Sequence, residues 1–385
     1  MRLALTDDQR ALQAELREYF AKVYAEVEGE DADEPTYPRY VRRLGHDGWL
    51  GLGWPVEYGG QGRDAIDQMI FVEESHWAGV PLPLLTLNSV GPTLMALGTE
   101  DQKREYLPRI LRGELHFAIG YTEPKAGTDL ASLETRAVRD GDEYVINGQK
   151  VFTSAIQHAD YVWLAVRTDP SLPKHKGLSV FIVPTSSPGF RYTPLPVIAG
   201  DITSTTYYDD VRVPEENLVG EENQGWKLIT NQLNHERVAI CPASGILRSI
   251  DDVRAWCADT KLADGRRVID REWVATSLAR VSARAEFLKL MNWKVAWASS
   301  RGLNPADASA TKVFGTEFAL EAYRLLMDIV GSAAYLEEGT IGAELSGRLE
   351  RAYRANTIFT FGGGTNEIQR DIIAMIGLGM PRAPR

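Results

Sequence analysis

Hydrophobic positions recur at helical spacing through roughly the first 115 residues of the chain. Leu12, Leu16 and Phe20 lie on one face of a helix that begins after Thr6, a residue type that caps helix N-termini. Similar patterns predict further helices over Ala65–Ala78, Pro83–Leu97 and Thr99–Arg112. Residues 1–115 are therefore expected to form an all-helical N-terminal domain.

The period changes to that of short strands from His116 onward. β-Branched and aromatic runs bounded by Gly, Asp or Pro predict strands over Phe117–Tyr121, Tyr144–Ile146, Tyr161–Val166, Leu178–Pro184 and Tyr207–Val213. Asp140-Gly141 and Asn147-Gly148 are hairpin-type signals. Residues 116–225 are expected to form a small central β domain.

Long helical patterns return after Gly225. They predict helices over Trp226–Asp259, Arg271–Ser300, Ala306–Val330, Ile341–Tyr353 and Asn366–Leu378. Residues 226–385 are expected to form a helical C-terminal domain, which makes the whole chain an α+β multi-domain protein.

Composition excludes several classes of function. The 385 residues are 44% hydrophobic and 25% charged, as in a globular enzyme, and the net charge of -11 argues against a nucleic-acid partner. Cys241 and Cys257 show no metal-ligand spacing, so no metal is expected. The N-terminus has no apolar signal-peptide segment, and no apolar run approaches the ~20 residues that span a bilayer. We expect a cytoplasmic protein without a membrane partner.

The stretch from Gly120 to Asp129, GYTEPKAGTD, carries the first candidate chemistry. Pro124 ends a strand, Gly127 permits close backbone approach, and Tyr121, Thr122 and Thr128 offer hydroxyl groups. Such a loop suits a polar ring system or a diphosphate. An ordinary surface turn is the alternative interpretation.

The segment TEPKAGTD resembles the TEPxAGSD signature of acyl-CoA dehydrogenases. Three other segments are similar to the same family in the same order: WPVEYGGQG from Trp54, NGQKVFTS from Asn147 and FGGGTNE from Phe361. The resemblance covers nearly the whole chain. It implies the acyl-CoA dehydrogenase fold, with an N-terminal helical bundle, a central β domain and a C-terminal four-helix bundle, and it implies FAD as cofactor.

The same resemblance implies which residues contact the cofactor. Tyr121 and Thr122 would line the flavin ring, and Thr128 would lie near the diphosphate and the thioester. Phe152 takes the place of the family's stacking Trp, and Ser154 the place of its Thr hydroxyl. The implied cofactor-binding set is Tyr121, Thr122, Gly127, Thr128, Phe152, Ser154, Thr365 and Glu367. Phe152 as a plain core aromatic is the alternative.

The position of the catalytic base departs from the commonest pattern of the family. Many members carry a Glu where this chain has Gly363, and a glycine cannot take a proton. A minority carries the base in a Glu-Arg pair, which Glu236 and Arg237 match. We expect Glu236 to be the base, with a solvated helix Glu as the alternative. Gly363 keeps a backbone N–H for the thioester carbonyl and leaves space for a bulky or branched acyl group.

The substrate side of the site follows from the same motifs. Thr128, Asn234, Arg237 and Gly363 are the expected substrate-binding residues. Arg237 faces either the coenzyme A phosphates or a neighbouring carboxylate, and the sequence does not decide between them. An acyl-CoA is the expected substrate, and an electron-transfer flavoprotein-type protein is the expected acceptor.

Two further family motifs are missing. The family's Arg-x-x-Phe-Gly corresponds here to Asp264–Asp270, and its Gln-x-x-Gly-Gly to Asp328–Ser332, although Arg266 could replace the lost Arg. This combination resembles one subunit of the heteromeric acyl-CoA dehydrogenases of bacterial steroid (cholesterol) side-chain degradation. The expected partner is a homologous subunit in a heterotetramer. A branched- or long-chain homotetramer and a catalytically silent assembly subunit are the alternatives.

Overall fold

The computed structural model of the protein describes residues 4–30, 32–200, 202–236, 241–299 and 301–382, with backbone alone for 231–236. Its N-terminal part holds five α-helices: α1 (Asp7–Gly29), α2 (Thr36–His46), α3 (Ala65–Ala78), α4 (Gly91–Leu97) and α5 (Glu100–Leu111). Thr6 caps α1 in a capping box with Gln9, as its sequence predicts, and Leu12, Leu16 and Phe20 are buried. The helical N-terminal domain is confirmed.

The predicted helix over Pro83–Leu97 contains a π-helical turn, Thr86–Val90, directly before α4. The Gly91 N–H donates to the Thr86 carbonyl, five residues back. Pro92 has no N–H to offer the next carbonyl, that of Leu87. The indole Nε1 of Trp54 donates to this carbonyl at 3.1 Å, so a side chain from the Trp54 loop completes the helix.

The central domain is an eight-stranded sheet. Its strands are β1 (Phe117–Gly120), β2 (Arg136–Asp140), β3 (Glu143–Lys150), β4 (Tyr161–Arg167), β5 (Leu178–Pro184), β6 (Phe190–Pro196), β7 (Ile202–Pro214) and β8 (Leu218–Val219). The order is β6-β7-β3-β2-β4-β5-β8, and β1 pairs with β4 in parallel. The sequence patterns missed β2, β6 and β8, which are largely polar or very short.

The two faces of the sheet enter different cores, because side chains alternate along a strand. Trp163 and Ala165 of β4 pack with the N-terminal helices. Val162, Leu164 and Val166 pack in a second core with residues of β3 and β7. The sheet therefore carries the N-terminal helices on one face.

Of the two hairpin signals, one is confirmed and one is wrong. Asp140-Gly141 joins β2 to β3 as a tight hairpin. Asn147-Gly148 lies inside β3, where the register with β7 shifts between Ile146 and Gly148. Gly148 has φ +147, and a Cβ there would lie 2.6 Å from the Thr135 hydroxyl. Close packing against Thr135, and not a chain reversal, requires this glycine.

The C-terminal helices are α6 (Gly225–Glu236), α7 (Ser244–Asp259), α8 (Glu272–Ser299), α9 (Pro305–Val330), α10 (Arg348–Asn356) and α11 (Asn366–Ile372), which continues into a π turn, Ile373–Gly377. Helices α7, α8, α10 and α11 all pack against α9. By contrast, α6 packs against α4, the preceding π turn and β5, and Leu228 and Ile229 belong to the core of the N-terminal helices. The domain order helix, sheet, helix is confirmed.

The prediction of one helix over Trp226–Asp259 is wrong, since α6 and α7 are separate helices. Pro242 lies between them and disfavours helical backbone at the residue before it. The Glu73 carboxylate of α3 accepts hydrogen bonds from the backbone N–H groups of Ala243 and Ser244, at 3.0 and 2.7 Å. A carboxylate from the N-terminal domain thus caps α7.

The predicted helix over Ile341–Tyr353 is also wrong in its first half. Leu345 and Ser346 have φ of +51 and +55, and α10 begins only at Arg348. Ile341 is 99% exposed, so its place in an apolar periodicity was fortuitous. Within the ranges described above, no helix is both long enough and apolar enough to span a membrane.

Candidate active site

The loop after β1 is built on a buried ion pair. Lys150, at the end of β3, is fully buried, and its Nζ lies 2.7 Å from the Glu123 carboxylate, which is 6% exposed. The same ammonium donates to the Tyr121 carbonyl at 3.1 Å. The Glu123 carboxylate also accepts the backbone N–H groups of Glu134 and Thr135 at 2.6 and 2.9 Å. The pair therefore fixes the backbone from Tyr121 to Glu123.

These contacts decide the charge state of Glu123. Burial alone would raise the pKa of its carboxyl group. The Lys150 charge and hydrogen bond, together with the Glu134 backbone amide and the Thr135 side chain, outweigh burial and lower this pKa below its ordinary value. The Glu123 side chain is therefore an anion at neutral pH, held by three donors.

Phe152 presents an aromatic ring beside this loop. Its side chain is 62% exposed, and its φ of +60 is a costly backbone conformation for a bulky residue. The Val151 N–H donates to the Thr122 carbonyl at 2.8 Å, so the two segments are joined directly. Gly127, Thr128 and Ser154 are exposed, and Thr122 is half-buried.

Phe152 is thus an open aromatic face and not a core aromatic. An open ring with hydroxyl groups beside it fits the face and the polar edge of a flavin. The strained backbone at Phe152 is compatible with this role, since strain is concentrated where function requires a particular side-chain direction. Phe152, Thr122, Thr128 and Ser154 are the residues of this chain that would hold FAD.

The Tyr121 side chain does not lie on this open surface, so any part that Tyr121 has in lining the flavin ring falls to its backbone. It is 8% exposed, and its hydroxyl accepts the indole N–H of Trp163 at 3.1 Å. The cause is strand alternation, which directs Tyr121 into the core shared with the N-terminal helices. Its backbone remains available to a ligand.

The second motif, Phe361–Glu367, forms a glycine turn before α11. Gly363 and Gly364 have φ of +65 and +91, in the left-handed region that favours glycine. The N–H groups of Phe361 and Gly362 both donate to the Ile358 carbonyl, at 3.1 and 2.7 Å. Within the described part of the chain, the N–H groups of Gly363 and Gly364 have no hydrogen-bond acceptor. They are two adjacent donors ready for an anionic oxygen.

Thr365 and Glu367 lie at the N-terminus of α11, directly after this turn. The Thr365 hydroxyl accepts the Ile368 N–H at 3.3 Å and so caps α11. Glu367 is exposed in the first turn of α11. Backbone and Thr365 hydrogen bonds lower the pKa of its carboxyl group, which is therefore ionised.

The structure brings the Tyr121–Asp129 loop and Phe152 together. In the described ranges, no hydrogen bond or ion pair links these residues to the Gly363 turn. The side chains of Asn234 and Glu236, and the whole of Arg237, lie outside the described residues. Their roles stay predictions.

A cavity of about 240 Å³ lies between the loop that contains Trp54, helix α3, the Thr86–Val90 π turn and helix α8. Its apolar lining includes Trp54, Val72 and Leu87, and its polar lining includes Asn88 and Asn292. The Asn292 amide donates to the Cys241 carbonyl at 2.9 Å, and Cys241 also contacts the Lys312 carbonyl of α9 through its thiol. The cavity is thereby connected to the helix that supports the Gly363 turn.

The sequence analysis did not identify the buried ion pair of Glu123 and Lys150 that holds the loop. A signal was present, because Lys150 shares even-numbered positions of β3 with the buried Tyr144 and Ile146. A lysine on a buried face requires a nearby anion. The buried Lys312 of α9 was missed as well, since a lone lysine in a helix has no such signature.

The segment Asp264–Asp270 forms a turn closed by a bridge between Lys261 and Arg267. The Arg266 guanidinium pairs with Asp264 at 2.7 Å, and Arg267 pairs with Asp270 at 2.8 Å. Both guanidinium groups are more than half exposed. Arg266 thus remains accessible, but its charge is balanced within its own turn.

Comparisons with known proteins agree with this geometry. Three family models match: acyl-CoA dehydrogenase N-terminal domain over residues 6–114, middle domain over 118–211 and C-terminal domain over 223–378. The chain is 58% identical to acyl-CoA dehydrogenase FadE26 of Mycobacterium tuberculosis and 50% identical to FadE29 of the same organism, each over the full length of both chains.

Solved structures give the same result. A chain in the crystal structure of the ChsE4-ChsE5 complex from Mycobacterium tuberculosis has a TM-score of 0.95 and 59% identity, with full coverage of both chains. A chain of the Tcur3481-Tcur3483 steroid ACAD has a TM-score of 0.93 and 48% identity, also with full coverage.

Proposed function

The chain belongs to the acyl-CoA dehydrogenase family, and from that premise we propose that it catalyses the FAD-dependent α,β-dehydrogenation of a bulky or branched acyl-CoA thioester. The observation that carries the proposal is the Gly363 turn. It offers two adjacent N–H groups that have no acceptor in the described part of the chain, and it has no carboxylate at position 363.

The reaction breaks one C–H bond at Cα and one at Cβ and forms a double bond between them. The thioester carbonyl gains negative charge as the α-proton leaves, and the Gly363 N–H is the donor that stabilises this oxygen. The carboxylate of Glu236 takes the α-proton. FAD, when bound, supplies the acceptor for the β-hydride. Phe152, Thr122 and Ser154 hold the ring system in place.

The bulk of the acyl group follows from what position 363 lacks. A Glu side chain at position 363 would occupy space beside the α-carbon of the acyl group, and glycine leaves that space open. The cavity between α3, the π turn and α8 is smaller than the ~300 Å³ typical of whole ligand pockets. We assign to it the distal end of the acyl group, with Asn88 and Asn292 available to a polar substituent. A steroid side-chain ester combines such an apolar body with polar groups.

A heteromeric assembly is the second part of the proposal. The loop around Phe152 is suited to the flavin ring, whereas the turn Asp264–Asp270 lacks Phe-Gly and balances its own charges. The similar chains of known structure come from the two-protein ChsE4-ChsE5 complex and from a Tcur3481-Tcur3483 steroid ACAD. We propose that a homologous subunit supplies the diphosphate–adenine half of the FAD site, and that an electron-transfer flavoprotein-type protein accepts the electrons.

Glu236→Gln tests the chemistry. The amide keeps the shape of the side chain and loses its basicity, so in the complex with the homologous subunit we expect flavin to stay bound and turnover to disappear. The measurement is the flavin spectrum together with turnover of a panel of straight-chain, branched and steroid acyl-CoA thioesters. Activity near that of the unmodified enzyme would place the base elsewhere.

Native mass and flavin stoichiometry test the assembly. We expect the chain alone to retain little FAD, and a complex with a homologous subunit to hold about one flavin per unlike pair. Several lost contacts to a diphosphate, at ~1.5–3 kcal/mol each, lower affinity by about a thousandfold or more. A homotetramer with one FAD per chain and full activity would contradict the heteromer and support a branched-chain homotetramer.

A further inference from the structure

Two buried polar side chains hold the carbonyl groups of the Gly363 turn. Lys312 of α9 is 1% exposed, and its Nζ donates to the Gly364 carbonyl at 2.9 Å and to the Asn366 side chain at 2.8 Å. Gln369 of α11 is fully buried, and its Nε2 donates to the Gly363 carbonyl at 3.3 Å. Both carbonyls of the glycine pair are thus held from inside the bundle.

Each of these side chains is itself anchored. The Gln369 amide oxygen accepts the Ser309 hydroxyl at 2.8 Å. The Asn366 amide nitrogen donates to Thr316 and Glu317, each at 3.1 Å. Side chains of α9 therefore hold Gln369 and Asn366 in place, and the helix supports the turn through them.

Fixing the carbonyls also fixes the N–H groups, because each peptide unit is planar. The Gly363 carbonyl shares a plane with the Gly364 N–H, and the Ile358 carbonyl holds the N–H groups on the other side of the turn. The peptide unit that carries the Gly363 N–H lies between these two held units, so fewer orientations are open to it. Because glycine has the most backbone freedom of any residue, the turn needs these hydrogen bonds to keep one conformation.

A buried ammonium is an expensive means of restraint. Removing a charged group from water costs several kcal/mol, and an apolar side chain of similar volume is often as good or better for stability. In addition to the backbone and Thr365 hydrogen bonds, the Lys312 charge lowers the pKa of the Glu367 carboxyl group, which lies in the first turn of α11. The ammonium therefore acts electrostatically on the segment that follows the glycine pair, in addition to its hydrogen bonds.

We propose that Lys312 and Gln369 are positioning residues for the oxyanion donor: they direct the Gly363 N–H toward the thioester carbonyl, and the Lys312 charge polarises the peptide units of the turn. The inference rests on the proposed dehydrogenase function. It concerns the transition state, where charge develops on the thioester oxygen, more than substrate binding.

Lys312→Met and Lys312→Gln in the FAD-loaded enzyme test the proposal. Removal of a whole oxyanion donor lowers kcat by about 100- to 1,000-fold in other enzymes, so a misdirected donor should cost about 30-fold for Lys312→Met, with KM within about threefold. Lys312→Gln retains a hydrogen-bond donor without the charge and should lose less. Gln369→Leu should lower kcat by about tenfold.

Thr311→Val is the matched control. Its hydroxyl is buried on the same helix and donates to the Asp307 carbonyl, so it lies outside the hydrogen-bond network of the turn. The variant should keep kcat within about twofold even if it lowers the melting temperature. A loss of kcat in Thr311→Val as large as in Lys312→Met would overturn the positioning role, since lower stability of α9 would then explain both.

Binding of acetoacetyl-CoA gives a readout that needs no turnover. This 3-oxo thioester is bound as an enolate when N–H donors stabilise the carbonyl oxygen, and the enolate absorbance follows its apparent pKa on the enzyme. Lys312→Met and Gln369→Leu should raise that pKa by about one unit, equivalent to tenfold weaker enolate stabilisation. Unchanged enolate titration and kcat in both variants would overturn the positioning role. Absence of an enolate in the unmodified enzyme would instead contradict the proposed function.

Discussion

Replacement of Lys150 by Met should destabilise the protein at the loop that we assign to the flavin. The side chains are similar in length, so the change removes a charge and a donor with little change in volume. It leaves the Glu123 carboxylate buried without its ammonium partner, and it leaves the Tyr121 carbonyl without its donor. Because Glu123 is only 6% exposed, water can replace the lost partner poorly.

The magnitude follows from the geometry. Breaking a buried ion pair by removal of one partner costs about 3–5 kcal/mol. Glu123 keeps two backbone hydrogen bonds, from Glu134 and Thr135, which places the expectation at about 3 kcal/mol. At roughly 2–4 °C per kcal/mol for a large domain, the melting temperature should fall by roughly 6–12 °C.

Thermal unfolding of the full chain measures this change directly. Lys22→Met is the control, because Lys22 is 67% exposed and lies 3.9 Å from Glu26 in a surface pair worth about 0–1 kcal/mol. The double variant Glu123→Gln/Lys150→Met should recover about half of the loss, since no charge then remains buried. A Lys150→Met protein that melts like the unmodified chain would refute the argument, as would a double variant less stable than the single one.

Three further predictions concern the same region and the helix beside it. The ionised Glu123 carboxylate stabilises the fold fully above the ordinary pKa of the group, near 4.5, and this stabilisation is lost as the pH falls through the lowered pKa of the folded state. Glu123→Gln should therefore flatten the acid limb of a plot of stability against pH. Phe152→Ala should lower flavin retention in the assembled enzyme, measured by flavin content after gel filtration, whereas Phe287→Ala, 50% exposed on α8, should not. Trp54→Phe should cost about 1–3 kcal/mol in chemical denaturation, because it leaves the Leu87 carbonyl unpaired, and an unchanged midpoint would contradict that account.

Local sequence rules predicted the helices and strands whose partners are close in the chain. The side chains of Thr6 and Asp64 cap their helices by accepting backbone N–H groups two or three residues further along the chain. The sequence signal and the contact are therefore both local. The start of α7 could not be predicted in this way, since its cap is Glu73, 170 residues earlier. The Thr86–Val90 π turn likewise depends on Trp54, which lies in another loop.

The same division holds for the site. Motifs located the Phe152 loop and the Gly363 turn, because each is a short segment with its own signature. They did not reveal that the Tyr121 ring faces the core or that Phe152 has a left-handed backbone, since both depend on how β1 and β3 meet the rest of the sheet. Lys312 was not predictable, because its partner is a glycine carbonyl 52 residues away.

The conformation of the Gly363 turn explains why a displaced base and a glycine go together. At a φ of +65, any residue with a β-carbon pays roughly 1–2 kcal/mol of backbone strain, so a Glu at this position would have to change the turn as well as fill the space beside it. A changed turn would move the Gly363 and Gly364 carbonyls away from Gln369 and Lys312 and break both of these buried hydrogen bonds. The backbone that presents the N–H groups therefore disfavours a carboxylate at position 363. This constraint supports the proposal that Glu236, at the end of α6, takes the proton.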